Sequence, residues 1–406
     1  MTLSTTLPSP RRRLFPSFRL LIVLLTMMAF FCTSTMKGNL GVAMVCMVNS
    51  TAVSKQPHPS DANISVDPSL TKCYSGNADE GVSRQAADYR GELLWTQQMQ
   101  SHLFAASYYG SLVVAVPSGY IADIYGPKYV LLVSVADCAV MSFLGPFLAN
   151  TNYYLFFASR VVLGLGEGLV LPGISSMAAN WSPANERSTL AAIYTSGNQL
   201  SGAIGSVVSS SFCKLHFLGG WPLIFYFFGL VGVVFIVVWY FVTTNSPSSN
   251  RWIGNDEKAY LESELRHMSE TRQTAVVPWL KLITSPRIIA ILLCYSTFGF
   301  VNVIMQSYLP TFFKTVLHLK VLHNGFFTAI PWLSQLIGKN VLSLISDYFK
   351  RNGYFKPTTL VKIFQSIHGF GLALTMIALA LFVDCTRTTL ATFLLTSMGE
   401  LHTSSE

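Results

Sequence analysis

Charge is scarce in this sequence. Only 11% of its 406 residues are Asp, Glu, Lys or Arg, against roughly a quarter in an average soluble domain, and that shortage argues against a water-soluble globular protein. The seven cysteines include no C-x-x-C pair. A Gly-rich phosphate loop, a metal-ligand spacing and a nucleophile–base pairing are also absent, which argues against an enzyme; no cofactor or metal is expected. The net charge of +8 does not point to nucleic acid, because much of it lies in short loops beside apolar runs, where Lys and Arg set membrane orientation.

Apolar residues are abundant, at 51%, and they fall in runs of about twenty, the length that crosses a bilayer as a helix. Nine spans are read at about 18–48, 97–121, 129–149, 154–179, 189–212, 221–242, 287–310, 324–346 and 359–383, with a shorter tenth run at about 388–399. The first run follows Arg11, Arg12 and Arg13 as a signal peptide's core would, but it continues past Lys37 to about Val48. That is too long for a signal, so it reads as a retained helix. The chain thus divides into a basic tail (1–17), a six-helix bundle (18–242) with an outside loop (49–94), a charged central loop (243–286) and a second bundle (287–406).

The basic residues of the tail, Lys128, Arg187, the 251–287 segment, Lys350, Arg351 and Lys356 fall on one side of this count. The positive-inside rule makes that side the cytosol and the N-terminus cytosolic. The sequon at Asn63 then lies outside and is the expected glycan site, whereas the sequon at Asn180 lies inside. In the central loop, Asn255, Asp256 and Glu257 open either a short helix with a partly apolar face, with Glu262 and Arg266 paired, or a solvated linker. Cys32, Cys46, Cys138 and Cys294 lie in apolar runs and read as small buried thiols. Cys73, Cys213 and Cys385 lie in or near outside loops, where one disulfide is expected to be formed, if any.

Two opposite charges stand inside the fourth span. Arg160 and Glu167 are seven residues apart, which returns to nearly the same helix face. Charges in a span are costly and by default mark a solute or proton path, the bland alternative being an ion pair that fixes packing. Gly164, Gly166 and Gly168 around Glu167 let a neighbouring helix or a solute come close. Asn302 and Gln306 share a face of the seventh span at i, i+4 and are candidate solute contacts. Asp137 is a lone carboxylate at middle depth of the third span, read as a cation site, a partner for Lys37 or a partner for a backbone donor. Lys339 is placed to snorkel to the near membrane surface. A repeat is also visible: Asp123 before Lys128 ends the second span, and Asp347 before Lys350 ends the eighth. That matches two parallel halves about an axis along the membrane normal.

The segments Asn39 to Asn49, Ser159 to Gly168, Glu186 to Ser188, Trp221 to Tyr226, Leu309 to Phe312 and Asn324 to Pro331 together resemble the sodium-phosphate, sialin and vesicular glutamate transporter family of the major facilitator superfamily. The resemblance implies an all-α, polytopic fold of two six-helix halves and secondary active transport of an anion of the phosphate, glutamate or sialic-acid type, coupled to Na+, H+ or membrane potential. It implies that Arg160 handles the anion and that Glu167 takes part in coupling. Lys37 stands where the family usually has an arginine, keeping the charge without the bidentate fork. Phe104 stands where the vesicular glutamate members carry a histidine. Since the family fold has twelve helices, the second half is expected to be incomplete in this sequence. The alternative is therefore a transport-inactive membrane protein that associates with a full-length relative. In either reading the protein is multi-pass, in a plasma, vesicular or lysosomal membrane.

Overall fold

The computed structural model describes residues 17–49, 91–183, 187–215, 219–272, 283–317, 319–352, 357–383 and 387–403. The architecture is all-α: the β pairing among these residues is a single isolated bridge between Val48 and Leu93. The first half comprises α1 (Phe18–Met47), α2 (Gln97–Ala115), α3 (Ser118–Tyr125), α4 (Pro127–Thr151), α5 (Tyr153–Gly168), α6 (Val170–Trp181), α7 (Arg187–Lys214) and α8 (Trp221–Val242). The central helix α9 is Asn255–Arg272. The second half comprises α10 (Pro286–Thr315), α11 (Val321–Arg351), α12 (Pro357–Phe382) and α13 (Thr388–Thr403).

Two expected spans are broken, and proline explains both breaks. α2 stops at Ala115 because Pro117 has no N–H to continue the ladder, and α3 restarts from the Pro117 carbonyl. α5 stops at Gly168, since Pro172 cannot donate to its carbonyl, and the chain turns once at Leu169, whose N–H reaches Gly166 O at 3.1 Å. Gly126, at φ 80°, makes the tight turn from α3 into α4, a conformation without cost for glycine.

Among the described residues six helical segments are long and apolar enough to cross a membrane, not nine. The expected second, fifth and eighth spans, α2–α3, α7 and α11, fall short: the first is interrupted, and the others dilute their apolar runs with Ser, Gly, Asn and Gln. These polar positions meet other helices. α7 packs along both α1 and α11, and α2 packs along α5.

The main core draws on α1, α2 and α4 to α8, with Trp181, Trp239, Phe156 and Phe225 buried in it. A separate smaller core joins α10, α12 and α13. The two halves meet where α10 crosses α1 and where α11 lies along α7.

The disulfide links Cys46 to Cys213. This corrects the expectation that Cys46 is a buried thiol: the last turn of α1 meets the end of α7, which brings the two cysteines together. Cys73 and Cys385 lie outside the described residues. Cys32 and Cys138 are free and buried, whereas Cys294 is exposed, on a helix that leaves most of its first half uncovered.

The central segment forms a helix docked to the bundle, not a linker. Glu257 accepts from the backbone amides of Phe18 and Arg19 at 3.0 and 3.1 Å. It therefore satisfies two donors that a helix N-terminus leaves open. Arg19 lies over the Tyr260 ring at 5.4 Å, and Leu261 is fully buried. The side chain of Arg266 lies outside the described residues, as does Asn63.

Candidate functional site

The charged site gathers on α1, α2 and α5. Lys37 Nζ donates to Glu167 Oε1 at 2.7 Å, with the two side chains 13% and 25% exposed. The same ammonium sits 3.9 Å from the Tyr108 ring centroid, a cation–π contact that stabilises a partly dehydrated charge. Ser111 Oγ lies 3.2 Å from the other carboxylate oxygen, Glu167 Oε2, and 3.0 Å from the Gly164 carbonyl. Tyr108 and Ser111 are site residues that the sequence reading passed over. The signal available was a pair of polar groups at i, i+3 within an apolar run.

The glycines around Glu167 admit a helix. A Cβ on Gly164 would fall inside the Ser107 carbonyl, and one on Gly110 inside the Val161 carbonyl, so α2 and α5 touch backbone to backbone. This close approach puts Ser111 within reach of Glu167.

Arg160 is not Glu167's partner. Seven residues of helix separate them by roughly 10 Å along the axis. A shared face therefore does not bring the charges together, and Glu167 is paired across to α1 instead. Arg160 is 1% exposed, with its guanidinium 4.6 Å from the Phe156 ring and 4.9 Å from that of Phe225. None of its side-chain nitrogens has a hydrogen-bond partner among the described residues. The charge partner of Glu167 is thus Lys37 and not Arg160.

Asp137 on α4 takes the third of its expected roles: it accepts from the backbone N–H of Gly166 at 3.2 Å.

A narrow cleft lies between the halves. It is lined by Ser34, Gly38 and Asn39 of α1, Ser201 and Ser206 of α7, Gln306 of α10, and Thr328 and Trp332 of α11. The Asn39 amide is 3% exposed and unpaired among the described residues. Asn302 lines a different cleft, with Met305, Trp332, Gln335 and Met398. Asn302 and Gln306, expected on one solute face, thus border different clefts, and Trp332 lines both. Neither Arg160 nor Glu167 lines the cleft that holds Gln306.

The halves touch on both sides of that cleft. Near the disulfide end, Lys314 donates to Val45 O at 2.8 Å and Phe104 meets Tyr308 edge-on. Toward the α9 end, Lys339 donates to Thr195 Oγ1 at 2.6 Å and is 9% exposed. The expected snorkelling of Lys339 gives way to a bond across the halves. Asp123 is exposed at the end of α3, and Lys128 donates to the Tyr240 carbonyl at 2.9 Å. Asp347 lies in the penultimate turn of α11, and its side chain lies outside the described residues.

Comparison with known proteins matches residues 20–402 to a family model described as Major Facilitator Superfamily. An uncharacterized transporter of Caenorhabditis elegans, slc-17.3, is 34% identical over 392 residues, 92% of this chain and 73% of that protein. Human sialin is 27% identical over 93% of this chain and 73% of its own length. Mouse sodium-dependent phosphate transport protein 1 is 28% identical over 88% and 71%. Among solved structures, a bacterial homologue of the human lysosomal transporter Spinster, inward-facing and unoccupied, matches with a TM-score of 0.60 at 14% identity, over 96% of this chain and 73% of that one. A D-xylose–proton symporter matches at 0.56 and 16%, over 95% and 79%. These two show likeness of fold.

Proposed function

We propose that this chain, which belongs to the Major Facilitator Superfamily, is a multi-pass secondary transporter that moves a small organic or inorganic anion by alternating access, coupled to H+, Na+ or membrane potential. The observation that carries this reading is the Lys37–Glu167 pair, bridged to Ser111 and roofed by Tyr108. While Glu167 is ionised it occupies Lys37. Protonation of Glu167, or its capture by a sodium ion, releases the ammonium to an incoming carboxylate or phosphate. Coupling ion and anion thereby load together. The names of the relatives, sialin and sodium-dependent phosphate transport protein, support an anionic solute.

Arg160 serves as the second anion contact. Its guanidinium is held between two rings and its N–H groups are uncommitted, ready for the bidentate grip that guanidinium gives an oxyanion. Asn302 and Gln306 contribute neutral contacts from their two clefts. Inter-half bonds on both sides of the cleft, through Lys314 and through Lys339, fit a cycle in which each side opens in turn.

The N-terminus and α9 face the cytosol, and the Cys46–Cys213 end faces an oxidising exterior or lumen, where disulfides persist. Asn63 then carries a glycan. Asn180, whose amide donates to the Asn245 carbonyl, does not.

Uptake of radiolabelled phosphate, glutamate and sialic acid into proteoliposomes, under imposed proton, sodium and voltage gradients, tests the reading. Wild type accumulates one of these anions against its gradient. Glu167→Gln, which cannot release a proton or hold a sodium ion with full charge, exchanges solute but does not accumulate it. Accumulation by Glu167→Gln with wild-type ion dependence removes Glu167 from coupling.

A further inference from the structure

The turn of α5 that carries Glu167 is intrinsically weak. Gly164, Gly166 and Gly168 occupy alternate positions, each less favourable in a helix than Ala, and the helix ends at Gly168. Hydrogen bonds from outside the helix support this turn. On the α2 side, Ser111 bonds Gly164 O. On the α4 side a stripe at i, i+3, i+4 faces the same turn. Ser134 Oγ donates to Gly166 O at 2.6 Å, Asp137 accepts from Gly166 N at 3.2 Å, and Cys138 Sγ lies 3.8 Å from Leu163 O. Both backbone groups of Gly166, the residue before Glu167, are therefore gripped by α4. The grip needs glycine there: a Cβ on Gly166 would stand 2.5 Å from Asp137 Oδ2.

We infer that Asp137, with Ser134, is a positioning pair that fixes Glu167 against Lys37 by clamping Gly166, and that Asp137 acts as a hydrogen-bond acceptor and not as a coupling charge. A carboxylate inside a membrane bundle is costly unless it has work there, and an acceptor for an amide beside the ion pair is work that the geometry supplies. This inference rests on the coupling role proposed for Glu167.

The test compares Asp137→Asn, which keeps an acceptor oxygen, with Asp137→Leu, which keeps only bulk. Two readouts are taken on the full chain in proteoliposomes. The first is gradient-driven accumulation beside gradient-free exchange. The second is amide hydrogen exchange of the peptide covering residues 160–172, which reads the clamp without reference to transport. Asp137→Leu is expected to speed amide exchange in that peptide and lower accumulation by about tenfold, the effect of losing a hydrogen bond to a charged acceptor, while solute exchange persists. Asp137→Asn is expected to restore both readouts to near wild type. If Asp137→Asn protects the peptide yet fails to accumulate, the charge itself is required and the positioning role is overturned. If Asp137→Leu leaves the peptide's exchange unchanged, there is no clamp. Glu167→Gln is run in parallel: normal accumulation there refutes the coupling reading, and the peptide's exchange in the Asp137 variants still decides the clamp.

Discussion

In α1, 56% of the most apolar stretch is buried inside the bundle; in α10 the figure is 6%, and in α12 it is 11%. All three are long, apolar helices, so apolarity does not decide which is buried. In lipid a leucine gains little by leaving the acyl chains for another helix, and close packing of small residues decides instead. The first half has many such approaches. Gly110 and Gly164 lock α2 to α5, Gly197 sits on the Met27 carbonyl, and Gly232 sits under Met36. In the second half, a Cβ on Gly299 of α10 or Gly369 of α12 would meet nothing within 4 Å among the described residues. α11 is better packed: its Gly325 lies against Ser210 of α7, and Gly399 of α13 lies against its Pro331 carbonyl. Within the second set the close approaches centre on α11, and α10 and α12 stay largely uncovered.

The largest effect that would break this comparison is a leucine at each kind of glycine. Gly164→Leu forces α2 from α5 at a cost above about 3 kcal/mol, and detergent-extracted protein should lose its monodisperse peak. Gly369→Leu should stay within about 0.5 kcal/mol, as surface substitutions do, with an unchanged elution profile. Equal loss in both would mean that the exposed face of α12 is packed in the membrane after all.

The disulfide comes next. Cys46 and Cys213 are 167 residues apart, and both lie in the first half. Cys46→Ser should lower the thermal midpoint by the equivalent of about 2–4 kcal/mol, and Cys294→Ser, on exposed α10, by almost nothing. A null result for Cys46→Ser would show that packing alone fixes the ends of α1 and α7.

Much of this was legible in the sequence. Spans, the fourth-span charges and the family likeness can be read from runs and motifs. Partner choice cannot. Arg160 and Glu167 share a helix face, yet the partner of Glu167 is Lys37, 130 positions away, because burial by α2 and α1 selects it. Cys46 reads as an apolar thiol until α1 and α7 are seen to end side by side. Asn302 and Gln306 read as one face, yet they border different clefts. In each case the missing information is which helix lies opposite, and local periodicity does not contain it.

The ion pair gives a smaller, sharper test of stability. Lys37→Ala leaves Glu167 partly buried without its cation, and removing one partner of a buried pair is costly. With the side chains 13% and 25% exposed, the loss is set at about 1–3 kcal/mol, below the fully buried case. In the second half, Lys314→Ala removes a bond to the Val45 carbonyl and should lose about 1 kcal/mol. Replacing both Lys37 and Glu167 by Ala should recover part of the single-variant loss in detergent melts. A double variant worse than the sum would mean that the two residues stabilise through packing and not through charge.

The smallest effect compares two helix starts. α1 begins with its Phe18 and Arg19 amides bonded to Glu257 of α9, which satisfies open donors and sets a negative charge at the positive end of the helix dipole. α10 begins at Ser285 with no side-chain cap bond. Glu257→Ala should therefore cost about 1 kcal/mol, the usual value of a lost N-cap, and Ser285→Ala close to nothing. Glu257→Gln separates the two contributions: an amide oxygen still accepts, so only the charge–dipole part, about 0.5 kcal/mol, is lost. Amide exchange over residues 17–24 gives a local readout, rising in the order wild type, Gln, Ala. If Glu257→Ala leaves that exchange unchanged, the Glu257 carboxylate does not hold the start of α1.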